Sequence, residues 1–250
     1  MRYSLCIGAY RGEDVVYHLE KAKEHGLVGL EYYAWWSLDV ERVKEASDRL
    51  GVGISATCTR FVSLVDSSKS DEYVDGLKET LLVCKRLGIT SVISQTGNTL
   101  DGVDRGTQRQ SMVETLKRCA PLCEEAGVTL ELEPCNPLDH KGYYLTRSDE
   151  AAEVVERVDS QSVKLCFDIY HQQITEGDVT RNALKYLDSI NHIHIADNPG
   201  RQEPGTGELN YSNILGAIDR AGFSGVVGIE CKFSGDTDTI LTRLLKSDLP

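Results

Sequence analysis

No apolar run in this chain approaches the roughly 20 residues that a helix needs to cross a bilayer, so a membrane is not an expected partner. The first residues, MRYSLCIGAY, also lack the longer apolar stretch and small-residue cleavage site of a signal peptide. No basic stripe is present and the net charge is −12, which argues against a protein that grips phosphate backbones. CxxC is absent too, although the chain has eight cysteines. Cys6, Cys58, Cys135, Cys166 and Cys231 lie in or beside predicted strands, Cys119 and Cys123 share a predicted helix, and Cys84 lies on another. That spacing fits no zinc pattern, and the expectation is reduced, mostly buried thiols in a cytoplasmic protein. No Pro/Gly/Ser-rich linker divides the 250 residues, so residues 1–250 are expected to form one domain with a full core. A small-molecule substrate is the expected partner, and a homo-oligomer is compatible with everything above.

What is present is a regular alternation. Predicted strands run near Tyr3–Ala9, Val28–Glu31, Gly53–Thr57, Ser91–Ser94, Thr129–Glu133, Val163–Asp168, His192–Ile195 and Val226–Glu230. Predicted helices fill the gaps at Asp14–His25, Leu38–Leu50, Asp71–Leu87, Thr107–Ala126, Ser148–Val158, Val179–Tyr186 and Tyr211–Ala221, with another from about Asp236. Several helices end in a glycine just before the next strand, as in DRLGVGIS, KRLGITSV and EEAGVTLE. Such a glycine supplies the left-handed cap that turns a helix into a strand. Repeated βα units of this kind predict a single (β/α)₈ TIM barrel. An open doubly wound sheet would normally carry a glycine-rich phosphate loop after its first strand, and GAYRGED is not one.

Four of the apolar runs end in an acid or an imidazole. They are Glu133 in VTLELEPCN, Asp168 in VKLCFDIYH, His194 in HIHIAD and Glu230 in GVVGIECKF. In a parallel barrel the C-terminal strand ends converge on one face, where active sites sit. Three carboxylates and an imidazole brought together there repel one another unless a cation holds them. The predicted site is a divalent metal centre with hard-ion ligands, Mg²⁺ or Mn²⁺. As a bare helix N-cap Asp168 is the weaker reading, since the next predicted helix begins well beyond it. Two connections, PCNPLDHKGYYLTRS and ADNPGRQEPGTGELNY, are too long for a plain βα turn and fall on the same face. Trp35 and Trp36 in EYYAWW would serve equally as a wall of the mouth or as packing. Arg60 and Gln95, at the ends of two strands, could also meet a substrate.

The segments DIYH, HIHIADNPGR, EPGTGELNY and GIECK resemble the hydroxypyruvate isomerase branch of the xylose-isomerase-like barrels. The likeness is strong over the second half of the chain and extends to the first half in fold. The ligand order Glu, Asp, His or Gln, Glu is that superfamily's pattern. His194 stands where some hydroxypyruvate isomerases carry glutamine and the ketose 3-epimerases carry histidine. The resemblance implies that His171 orients a substrate oxygen and that Arg201 reaches back over the site. A lysine in the E-x-K position of Lys232 is the rule in the isomerase branch and suits an anionic substrate. Asp139 stands where the epimerases place a second acid that touches the sugar.

A 2-hydroxy-carbonyl compound could bind such a metal through two oxygens, and the metal would stabilise the enediolate formed when a proton leaves the adjacent carbon. Glu133 and Glu230 are the candidate acid and base. Arg201, His171 and Lys232 are expected to form a cationic side opposite them. The expected activity is isomerisation of hydroxypyruvate to tartronate semialdehyde, or of a related sugar acid. The alternative is a ketose 3-epimerase on the same metal site. An endonuclease IV-like metal nuclease would need more histidine ligands than six histidines offer, and a basic surface. A non-catalytic sugar-binding barrel would have no use for the two glutamates.

Overall fold

The computed structural model of the chain describes residues 1–246. It runs β1 (Arg2–Cys6), α1 (Val15–Glu24), β2 (Gly29–Tyr32), α2 (Val40–Leu50), β3 (Gly53–Cys58), α3 (Ser70–Leu87), β4 (Ser91–Ser94), α4 (Arg105–Ala126) and β5 (Thr129–Leu132). There follow α5 (Ser148–Val158), β6 (Val163–Asp168), α6 (Ile169–Thr175), α7 (Val179–Lys185), β7 (Ile190–Ile195), α8 (Tyr211–Arg220), β8 (Val226–Ile229) and α9 (Thr237–Lys246). The strands close into a parallel barrel in the order β1 to β8, with β8 pairing back onto β1. This is the (β/α)₈ architecture expected from the alternation. Gly51 (φ 70°) and Gly88 (φ 75°) take the left-handed conformation that ends α2 and α3, as their place before a strand predicts.

The apolar core lies between the strands and the helical ring. Leu130 and Leu132 of β5 and Ile193 and Ile195 of β7 point outward into it. Residues alternate sides along a strand, so Glu131 with Glu133, and His192 with His194, point to the barrel axis. The barrel interior, which is usually filled by branched apolar side chains, here carries a buried polar column. None of the described helices is long and apolar enough to cross a membrane. All eight cysteines are unpaired, and seven are buried.

One element differs from expectation. Asp168 does cap a helix, since α6 begins directly after it. Asp168 Oδ1 accepts from the backbone N–H groups of Tyr170 (2.8 Å) and His171 (3.2 Å). The helix has only seven residues, and Ile169, Tyr170, His171 and Gln172 are all buried. With the polar His171 and Gln172 buried and Ile174 only half-buried, this two-turn helix shows no amphipathic period in sequence.

Candidate metal centre and active site

Strand register brings the predicted ligands together. Asp168 of β6 pairs with His194 of β7, and His194 pairs with Gly228 of β8, so the three stand side by side. Glu133 and Glu230 each follow the last residue of their strand, on the C-terminal face. Glu133, Asp168, His194 and Glu230 each offer one ligand atom, and these atoms all lie within 4.8 Å of one another. His194 Nδ1 is 3.0 Å from Glu230 Oε2 and 3.4 Å from Glu133 Oε1. Burial opposes a charge on His194, but Cys166, Glu31 and Glu230 outweigh it and raise its pKa well above the ordinary value. Burial likewise works against ionised Glu230, yet His194 and then Arg201 hold its carboxyl down at about 2.

A divalent cation fits this set. Oxygen from three carboxylates with one imidazole is a donor set for Mg²⁺, Mn²⁺ or a similar ion. The buried Oε2 of Glu230 points into the cluster without an aligned hydrogen bond, although charges flank it. Glu133, Asp168, His194 and Glu230 would hold the ion.

The remaining predicted site residues fall in different places. Arg201 does not stand opposite the glutamates. Its guanidinium lies against the acids themselves, 2.8 Å from Glu230 Oε2 and 3.4 Å from Asp168 Oδ2, with Tyr170 beneath it at 5.1 Å. Buried acids draw the nearest cation, and the long loop after β7 lets Arg201 reach them. His171 is fully enclosed. Its Nδ1 accepts from the side-chain amide (2.6 Å) and backbone N–H (3.2 Å) of Asn136, leaving Nε2 3.4 Å from Asp168 Oδ2. It therefore braces Asp168. Lys232 lines a cavity of about 700 Å³ together with Glu230, Arg201, Tyr33 and the loop after β1. Of the cationic side expected opposite the glutamates, Arg201 and His171 instead pair with the acids, and Lys232 shares the cavity lining with Glu230.

Asp139 lies outside the ligand cluster. It accepts from Asn136 Nδ2 (3.0 Å) and from the Tyr170 hydroxyl (2.8 Å). Trp35 is buried with its Nε1–H donated to Thr80 (3.1 Å), and Trp36 packs edge-on against Phe61. Arg60 stacks on both tryptophans and pairs with Glu79 at the surface. None of these three residues, nor Gln95, lines the cavity beside Glu230.

Three residues at the centre were not anticipated. Tyr33 donates its hydroxyl to Glu230 Oε1 at 3.0 Å. Asp197 organises the loop that carries Arg201, its carboxylate accepting from the backbone N–H groups of Asn198 (2.9 Å), Gly205 (2.8 Å) and Leu209 (3.1 Å). Glu31, at the end of β2, accepts from His194 Nε2 at 2.8 Å and His192 Nε2 at 3.0 Å, and from the Ser4 hydroxyl. Period-two alternation in LELE and HIHI was the available signal that further polar side chains share the barrel axis.

Comparison with known proteins agrees with the barrel. Residues 19–245 match the family described as xylose isomerase-like TIM barrels. The hydroxypyruvate isomerase of Escherichia coli K12 is 31% identical over 242 residues, covering 93% of each chain. The 2-oxo-tetronate isomerase of Cupriavidus necator is 39% identical over 127 residues, covering 51% of this chain and 49% of that one. A solved structure described as an AP endonuclease, family 2, from Brucella melitensis superposes with a TM-score of 0.93. It covers 98% of each chain at 24% identity, a likeness that shows the fold alone.

Proposed function

The chain belongs to the xylose isomerase-like TIM-barrel family, and from that premise we propose that it is an isomerase of a small 2-hydroxy-carbonyl acid. Hydroxypyruvate, going to tartronate semialdehyde, is the lead substrate, and a four-carbon sugar acid of the 2-oxo-tetronate kind is the next. The observation that carries this reading is the convergence of Glu133, Asp168, His194 and Glu230 beside a cavity that also holds Lys232.

A bound divalent ion would supply Lewis-acid stabilisation of the negative charge that develops on the substrate oxygens. The protein's own groups do the rest. One glutamate removes a proton from the hydroxymethyl carbon, and a proton returns to the neighbouring carbonyl carbon. The hydroxyl proton passes from the first oxygen to the second, so the formula is unchanged. Glu133 and Glu230 come from β5 and β8 and reach the substrate from different sides. Tyr33 and Arg201 keep Glu230 oriented, and His171 does the same for Asp168. Lys232 meets the substrate carboxylate, a role open to it because no carboxylate of the described residues pairs with its ammonium group within 4.0 Å.

The test is a coupled assay on chelator-treated protein, with Mg²⁺ or Mn²⁺ restored, using hydroxypyruvate, 2-oxo-tetronate and a panel of ketoses. Turnover of the acids after metal is restored is the expected result. Turnover of neutral ketoses alone would replace this reading with a 3-epimerase.

A further inference from the structure

We infer that Glu31 is a positioning residue that grips His194 by Nε2 and so presents Nδ1 to the metal cluster. The inference rests on the metal reading above and goes beyond it, since Glu31 contributes no ligand atom to that four-residue group.

An imidazole has two nitrogens, and the bond made by one decides what the other can do. An ionised carboxylate only accepts. Glu31 Oε2, 2.8 Å from His194 Nε2, therefore requires the proton on Nε2. That leaves Nδ1, which faces Glu133 and Glu230, as the nitrogen turned towards the cation site. A carboxylate on the far nitrogen also makes an imidazole a better donor to a metal.

The surroundings fix Glu31 in turn. It is 1% exposed at the end of β2. Its second oxygen accepts from His192 Nε2 at 3.0 Å and from the Ser4 hydroxyl. The opposite wall has no side chain. A Cβ added at Gly228 would fall 2.7 Å from His194 Cδ2 and 3.0 Å from the carboxyl carbon of Glu31. The glycine in GVVGIE thus leaves room for the carboxylate–imidazole pair to cross the barrel axis.

The experiment compares wild type with Glu31→Gln and Glu31→Asp. The first removes the charge at nearly constant shape; the second keeps the charge but withdraws it by a methylene. Mn²⁺ affinity is measured by calorimetry on chelator-treated protein, after circular dichroism has established folding. Zn²⁺, which is diamagnetic, serves as the probe for the His194 Nε2 proton by NMR. Glu31→Gln should weaken Mn²⁺ binding by about 10–100-fold, and the downfield Nε2 proton of the Zn²⁺ form should move upfield and exchange faster. Glu31→Asp should also bind more weakly. Wild-type affinity and an unmoved Nε2 proton in either folded variant overturn the inference while leaving the metal centre standing. Failure of wild type to bind Mn²⁺ overturns the metal centre itself, and this inference with it.

Discussion

Replacing Gly228 by alanine should damage the protein far more than one methyl group suggests. Gly228 lies in β8, paired with His194 on one side and Ser4 on the other. The new Cβ would sit 2.7 Å from His194 Cδ2 and 3.0 Å from the Glu31 carboxyl carbon, and closer still to its Oε1. Neither neighbour is the loose end of a surface side chain, since both are 1% exposed. Overpacking of such a site costs about 1–3 kcal/mol. Displacing Glu31 also breaks its hydrogen bond to His194, and a bond to a charged group contributes about 1.5–3 kcal/mol. Together these give roughly 2.5–6 kcal/mol, a large share of the about 5–15 kcal/mol that holds a domain folded. Urea unfolding of chelator-treated protein would read this as a lower midpoint at an unchanged slope. Gly216→Ala is the control. That glycine lies inside α8, and its Cβ would meet only the guanidinium end of Arg220 at 3.3 Å, so alanine there should stabilise by about 0.5–1 kcal/mol. A Gly228→Ala protein within about 0.5 kcal/mol of wild type would refute the claim that Glu31 and His194 are tightly packed across the axis.

Glu133→Gln and Glu230→Gln should each lower turnover by about 10²–10⁴ while the fold remains, with solvent-deuterium exchange into substrate falling in step; wild-type exchange in either would make that glutamate structural only. Lys232→Met should raise KM for an acid substrate, by about 1.5–3 kcal/mol if the lost charge-assisted bond is desolvated, and do less to a neutral ketose. An equal effect on both would remove Lys232 from carboxylate recognition. Asp238 ties α9 to the loop after β1 and to α1, accepting from Tyr10 (2.5 Å), Lys21 (2.8 Å) and His25 (2.9 Å). Burial opposes its ionisation, but those donors, His25 first, hold its pKa well below the usual carboxylate range. A carboxyl depressed on folding adds stability above its unfolded pKa of roughly 3.9, and that stability is lost as pH falls towards the folded value. Asp238→Asn should therefore cost about 1 kcal/mol at pH 7, the partly exposed site limiting the effect, and the gap to wild type should narrow below about pH 4. A gap independent of pH in urea titrations would show that the charge contributes nothing.

The barrel was legible because its punctuation is local. A helix ending in Gly51 or Gly88, followed at once by a strand, is visible within a few residues. Glu133, Asp168, His194 and Glu230 were legible for a related reason. A parallel barrel sends every strand end to one face, so position along the strand is enough to predict a meeting. The side on which a loop residue lands follows no such rule. Arg201 sits at φ 55° in a loop held by Asp197, and nothing periodic announces that geometry. Helix α6 escaped because its buried side carries the polar His171 and Gln172, which breaks any apolar period, and Asp139 is held by Asn136 and Tyr170 outside the ligand cluster.

The charge argument drawn from the sequence counted too few groups. On sequence alone, three carboxylates and an imidazole at one place read as needing a metal cation. The barrel axis, however, carries two more buried acids, Glu31 and Glu131, and a second imidazole, His192, between them. Burial raises the Glu131 pKa, whereas Glu31, set between two imidazoles, is held well below the ordinary value in spite of its burial. Arg201 adds a guanidinium against Glu230 and Asp168. The protein thus balances part of its own negative charge, and a count of acids alone does not require a metal. Directed lone pairs carry that argument better. Glu31 consumes the far nitrogen of His194, Tyr33 consumes one oxygen of Glu230, and Asp168 spends Oδ1 on the N-terminus of α6. His194 Nδ1 and Glu230 Oε2 remain 3.0 Å apart, and Arg201 lies 2.8 Å from that same oxygen and 3.4 Å from Asp168 Oδ2. A cation placed among these atoms would compete with Arg201 for Glu230 and Asp168, and the Glu31 carboxylate on Nε2 would orient His194 towards it.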